Sequence, residues 1–171
     1  MGLGILGQAS AIALNHIGFK VTGWSLTKKN LPGVESVAGA ENLNQFLSTS
    51  DILVCLLPLT RATKGIIDGQ FLQKLPDNAC FINGARGALV VEEDLISALR
   101  SGHLAHAVLD VTKIEPLPSD NPLWKAPNIT ITPHVASVTN PQSGARLVSE
   151  NILRILNGES PKHLVNPEAG Y

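Results

Sequence analysis

The chain has 171 residues, 44% of them hydrophobic, enough to bury one substantial core and a small appendage. Thirteen basic residues against fourteen acidic ones leave a formal charge of −1 with no polybasic run, which excludes the electrostatic footprint of a nucleic-acid binder or a membrane-surface protein. Small uncharged molecules remain as partners by elimination, and the apolar runs are too short to cross a bilayer.

The first seven residues, MGLGILG, spell G-x-G-x-x-G through Gly2, Gly4 and Gly7, with Ile5 and Leu6 between the last two glycines. Such a turn normally follows a buried strand and opens a helix, where backbone N–H groups approach a pyrophosphate with no Cβ in the way. A single methionine precedes it here, so the expectation is a cofactor fold that lacks its first strand, with unpaired strand edges and little activity on its own. The apolar start is not a signal peptide, because no basic n-region is present and the first lysine is Lys20.

A helical pattern over 9–17 ends at Gly18, and a strand over 20–24 follows, which together form the second half of a β-α-β unit. Beyond it comes GWSLTKK. An NAD site wants a carboxylate about here to grip the ribose 2′-hydroxyl, but this stretch offers Ser25, Thr27, Lys28 and Lys29 instead. Hydroxyls and positive charge suit a 2′-phosphate and therefore NADP; an ordinary solvated turn is the alternative.

Further along, helices are expected over 42–47, 70–74, 92–100 and 142–157, alternating with strands over 52–57, 79–83, 105–111 and 129–132. This rhythm gives an α/β fold, a Rossmann-type doubly wound parallel sheet. Glu92, Glu93 and Asp94 load the N-terminal turn of one helix and Gly102 closes it. Cys55 and Cys80 fall within apolar strands and read as buried free thiols suited to a reducing, cytoplasmic setting. Trp24 and Trp124 read as packing anchors. No two histidines show metal-ligand spacing, and Ser143 and Ser149 have no acid–base partners at useful spacing. The proline-rich IEPLPSDNPLWKAPN, between two strands, is long enough to be a functional loop.

Three segments place ionisable residues just past the carboxyl ends of strands, the edge where open α/β sheets bind ligands: FINGARG with Arg86, LDVTKIEPLP with Glu115 and ITITPHVAS with His134. Each has a plain structural reading alone. Together they set a cation, a carboxylate and an imidazole on one rim.

NGARG, the D-V-x-x-x-E-P-L-P segment and TPHVAS resemble the signature segments of the D-isomer-specific 2-hydroxyacid dehydrogenases, with GLGILG as the cofactor loop. WSLTKKNLPGV, LPLTRATKGII and the final G-Y are most similar to the glyoxylate/hydroxypyruvate reductase branch. The resemblance covers essentially the whole chain. It implies a cofactor domain over residues 1–140, and over 141–171 a helix and tail returning toward a substrate domain. It also implies a homodimer, a small 2-oxo or 2-hydroxy acid as substrate, and NADP in preference to NAD. By the same likeness His134 donates the proton, Glu115 pairs with that imidazole, and Arg86 binds the substrate carboxylate and carbonyl. Asp110 matches a position near the nicotinamide, and Pro58, Ala85 and Ala136 bind the cofactor along its groove. A carboxylate beside an imidazole favours its charged form, and arginine supplies a planar, permanently charged fork. A non-catalytic nucleotide-binding module, as in the C-terminal-binding-protein corepressors that share this fold, and an inactive fragment are the rival readings.

Overall fold

The computed structural model describes residues 1–166, which divide into two compact units, residues 1–134 and 135–166. In the first unit the chain runs α1 (Ile5–His16), β1 (Thr22–Ser25), β2 (Glu35–Ala38), α2 (Leu43–Ser48), β3 (Ile52–Cys55), α3 (Gly69–Leu72), β4 (Ala79–Asn83), α4 (Glu92–Arg100), β5 (Leu104–Leu109) and β6 (Ile129–Ile131). Every strand pair is parallel. β1 and β2 form one sheet, and β3-β4-β5-β6 form another in sequential order. This is the α/β, Rossmann-type architecture expected from the alternation of short apolar runs and helices.

Met1 and Gly2 lie between the two sheets. The Leu56 amide donates to the Met1 carbonyl (2.9 Å), and the Gly2 amide donates to the Trp24 carbonyl (2.8 Å). These residues therefore continue the hydrogen-bonded ladder from β3 to β1 for the length of one pleat. Gly2 is required there: its φ is +91°, and a Cβ would come within 2.7 Å of the Leu56 backbone.

The core is built where the helices cover the four-stranded sheet. Leu53 of β3, Phe81 of β4 and Leu104 of β5 are fully buried against Leu72 of α3 and Leu95 and Leu99 of α4. α4 begins where the sequence places it, and its acidic first turn does structural work as well as facing the helix dipole. Asp94 Oδ2 accepts the Gly69 amide at 2.7 Å and so ties α4 to the start of α3.

Several local expectations change. β2 has no counterpart in the sequence reading, α1 starts at Ile5 rather than residue 9, and β1 starts two residues later and ends one residue later than expected. Cys55 is buried as expected, but Cys80 is only half-buried. Trp24 is an anchor, 4% exposed, with its indole N–H on the Gly39 carbonyl (2.9 Å). Trp124 is not: it is 54% exposed and its N–H caps the Pro118 carbonyl, so it closes the proline-rich loop on itself and does not fill the core.

The second unit holds α5 (Pro141–Leu156), started by Asn140, whose side chain accepts the Gln142 and Ser143 amides with Pro141 at the first helical position. The following turn folds back on the helix: Asn151 brackets the Lys162 backbone, and Arg154 pairs with Glu159 at 3.0 Å. No described helix is long and apolar enough to cross a membrane.

Candidate active site

The glycine turn enters α1 through Gly4, an extended N-cap residue with no side chain capping the helix. The three glycines have different reasons to be glycine. A Cβ on Gly7 would sit 1.8 Å from the Gly2 carbonyl oxygen, so Gly7 closes the turn on Gly2, whereas a Cβ on Gly4 would meet nothing within 4 Å. Gly4 is exposed, as are Ile5 and Leu6 beside it. The first helical turn therefore presents uncapped N–H groups and the positive end of the helix dipole to open space, an arrangement that fits a phosphate.

At the end of β1 the Ser25 hydroxyl donates to the Thr27 carbonyl at 2.7 Å, which commits its proton to the turn. Thr27 and Lys28 are exposed, and the Lys29 amide is held by Ser36 Oγ of β2 (3.0 Å). β2, invisible in the sequence, thus fixes the base of this turn.

Arg86, Glu115 and His134 come together on one cleft of about 200 Å³. Three loops deliver them. His134 follows β6 with φ +55°, a left-handed conformation uncommon for any residue but glycine, and its amide is held by the Asp110 carbonyl (2.9 Å) and the Thr132 carbonyl (3.0 Å). Its Nδ1 lies 2.8 Å from Glu115 Oε2. The other Glu115 oxygen accepts the Thr112 amide at 3.0 Å. These two bonds, with His134 first, hold the Glu115 carboxyl below the usual carboxylate range, and the Arg86 charge adds a smaller pull in the same direction. Among the described residues, Nε2 of His134 has no hydrogen-bond partner and is the ring nitrogen left for a substrate.

Arg86 owes its place to residues that the sequence reading passed over. Asn83, fully buried at the end of β4, accepts the Ala85 amide and donates to the Arg86 carbonyl, both at 3.1 Å. Its own carbonyl takes the Asp110 amide (3.0 Å), which joins the Arg86 turn to the strand end that anchors His134. Gly87 then lets the turn touch the Glu115 loop: a Cβ there would lie 2.0 Å from the Thr112 carbonyl carbon and 2.4 Å from the Lys113 nitrogen. On the far side of that loop Glu92 accepts the Lys113 amide at 3.0 Å. The only signals for these roles in the sequence are that Asn83 and Gly87 flank Arg86 in the same short segment.

The remaining expected residues are less gathered. Asp110 is buried, and its carboxylate accepts the Thr132 hydroxyl at 2.6 Å. Ala85 is buried, and the Pro58 carbonyl accepts from Thr63 Oγ1 (2.6 Å). Ala136 belongs to the second unit. A larger cavity of about 480 Å³ between α3 and α4 contains none of the expected residues. Its ionisable groups are already engaged: Asp94 with Gly69, and His103 with Asp77 (2.9 Å) and the Leu72 carbonyl (3.0 Å).

Residues 1–136 match the sequence model described as D-isomer specific 2-hydroxyacid dehydrogenase, NAD binding domain. Among solved structures, a D-isomer specific 2-hydroxyacid dehydrogenase from Xanthobacter autotrophicus Py2, in complex with NADPH and MES, is 49% identical with a TM-score of 0.96, over 99% of this chain and 70% of that one. A probable 2-hydroxyacid dehydrogenase from Rhizobium etli CFN 42, in complex with NADP, HEPES and L(+)-tartaric acid, is 44% identical with a TM-score of 0.92, over 100% of this chain and 55% of that one. An NADPH-dependent glyoxylate/hydroxypyruvate reductase from Sinorhizobium meliloti, with NADP and sulfate, is 41% identical with a TM-score of 0.94, again over 100% and 55%. The chain thus spans 55 to 70% of the length of these proteins.

Proposed function

Since the chain belongs to the D-isomer-specific 2-hydroxyacid dehydrogenases, we propose that it supplies the cofactor-binding and acid–base machinery of an NADPH-dependent reductase of small 2-oxo acids of the glyoxylate or hydroxypyruvate type. The observation that carries this reading is the convergence of Arg86, Glu115 and His134 on one cleft, with the imidazole held by the carboxylate at 2.8 Å.

The residues fit the cofactor at both ends. Gly4 leaves space at the start of α1 where a side chain would otherwise stand, and the amides of this first turn would hold the pyrophosphate. Thr27 and Lys28 would hold the 2′-phosphate, with the lysine supplying the charge and Ser25, whose proton goes to the Thr27 carbonyl, shaping the turn. Pro58 and Ala85 would line the cofactor groove, and Asp110 would lie near the nicotinamide. When bound, NADPH supplies the hydride for C2 of the substrate.

The rest of the chemistry belongs to the chain. Arg86 binds the substrate carboxylate and carbonyl through its planar fork and draws the carbonyl oxygen into place. Glu115 accepts the Nδ1–H of His134, which fixes the ring orientation and leaves Nε2 to carry the proton that is donated. His134 then gives its Nε2 proton to the carbonyl oxygen as negative charge develops there, the point in the reaction where an acid accelerates it. The products are the 2-hydroxy acid and a neutral imidazole that is reprotonated from solvent.

Residues 141–171 are assigned to the return toward a substrate domain, and the working assembly to a homodimer in the cytoplasm. Two measurements on the full-length protein test the proposal. NADPH titration is expected to enhance nicotinamide fluorescence more tightly than NADH does, and glyoxylate or hydroxypyruvate is expected to oxidise the bound cofactor. Cofactor binding without turnover of either acid would leave a nucleotide-binding module and refute the reductase.

A further inference from the structure

The cleft contains one more cation than the reduction of a simple 2-oxo acid needs. Lys113 lines it together with Arg86, Glu115 and His134, and the backbone fixes it there. The Arg86–Gly87 turn packs directly on the Thr112–Lys113 peptide, as the 2.4 Å approach of a virtual Gly87 Cβ to the Lys113 nitrogen shows. Glu92 Oε1 accepts the Lys113 amide at 3.0 Å.

Neither cation forms an ion pair with an acidic residue among the described residues. Arg86 donates to the Ala85 carbonyl, and Lys113 forms no ion pair: the pairs among the described residues are His103–Asp77, His134–Glu115, Arg154–Glu159 and Lys162–Glu150. The two carboxylates close to them are occupied. Glu115 uses its oxygens on His134 and Thr112, and Glu92 uses its oxygens on the Lys113 amide and, at 3.5 Å, on Asn121. With Arg86 assigned to the carboxylate of a 2-oxo acid and His134 to the carbonyl, Lys113 is the remaining cation on the cleft wall.

Building on the reductase reading, we infer that Lys113 is a specificity-determining residue that extends the substrate range to 2-oxo acids with a second anionic group on the side chain, a compact 2-oxo dicarboxylate being the simplest. A cation on the cleft wall opposite an anionic substituent forms a charge-assisted hydrogen bond that the uncharged homologue lacks. An exposed lysine acting only by long-range attraction would draw all anionic acids alike, and this separates the two roles.

The test is the ratio of kcat/KM for oxaloacetate to that for pyruvate, which differ by the one carboxylate, in the full-length protein saturated with NADPH. Glyoxylate is measured in parallel. Lys113→Gln is expected to lower the ratio by about tenfold, the size of one charge-assisted hydrogen bond, and Lys113→Arg to restore most of it. A ratio that stays within about twofold in Lys113→Gln overturns the inference, including the case in which both acids lose rate together, which is steering. If glyoxylate is still reduced in that case, the reductase reading stands alone; if the parent protein reduces none of the three acids and no hydroxypyruvate either, both fail.

Discussion

Gly87→Ala is the substitution whose effect follows most directly from distances. The new methyl carbon would lie 2.0 Å from the Thr112 carbonyl carbon, 2.1 Å from its oxygen and 2.4 Å from the Lys113 nitrogen. Ordinary van der Waals contact begins at 3.4 Å, and all three atoms are backbone, so no side-chain rotation can relieve the clash. The Arg86 turn and the Glu115 loop must part by about 1.4 Å. Gly87 is not among the residues with positive φ, so the cost comes from lost space and not from backbone strain. Overpacking of this kind costs about 1–3 kcal/mol in stability. Its larger effect falls on catalysis, because a misplacement of about 1 Å between substrate-binding and acid–base groups lowers rate by about a hundredfold. In the full-length protein, kcat/KM for glyoxylate is expected to fall by about that factor. The NADPH dissociation constant, assigned mainly to the start of α1 and the end of β1, should move much less than kcat/KM. A Gly87→Ala enzyme with kcat/KM within about threefold of the parent would refute the claim that this contact sets the site's geometry.

Three other outcomes are expected. Because hydrogen bonding to His134 and Thr112 lowers the Glu115 pKa, the pair's contribution to stability is present above the unfolded carboxylate value of 4.5 and is lost as pH falls through the lower folded value; NMR titration should place the Glu115 midpoint below 4.5 and return it upward in His134→Ala. Ser25→Asp with Lys28→Ala places a carboxylate where a 2′-phosphate would lie, and should shift the NADPH-to-NADH ratio of kcat/KM by at least about tenfold toward NADH; an unmoved ratio would mean that this turn does not read the 2′ position. Asn83→Ala leaves the buried Ala85 amide without its partner, while the Arg86 carbonyl keeps the Leu89 amide at 3.2 Å; it should cost about 1–3 kcal/mol for the one buried group and lower Tm while raising KM for the acid more than it lowers kcat.

The strands with continuous apolar runs and the acidic start of α4 were legible because burial and helix-dipole effects act on residues adjacent in sequence. β2 was not: ESVA opens on an exposed glutamate and never becomes fully buried, so no hydrophobic alternation marks it. α1 begins four residues before its apolar pattern does, because Gly4 starts the helix without a capping side chain to announce it. Of the site, the side chains that carry chemistry could be picked out by type and by their position past strand ends. What holds them could not. Asn83 acts through the carbonyl of Arg86, Gly87 through an atom it lacks, and Glu92 through an amide on a loop 21 positions away. The left-handed conformation of His134 depends on the Asp110 carbonyl, a contact between strand ends that only the folded sheet creates. Trp124 misled for the complementary reason: its size argues for burial, but its partner is a carbonyl six residues back in the same loop.

The central claim is that His134, oriented by Glu115, delivers the proton while Arg86 and the cofactor do the rest. It is tested most directly by single-turnover oxidation of enzyme-bound NADPH by hydroxypyruvate in the full-length parent and in His134→Gln, with the NADPH dissociation constant measured on both. The expected result is a rate lower by about 10²–10⁴-fold, the usual worth of a general acid, with cofactor affinity unchanged within about threefold. A His134→Gln protein that oxidises bound NADPH within a few-fold of the parental rate would contradict the account.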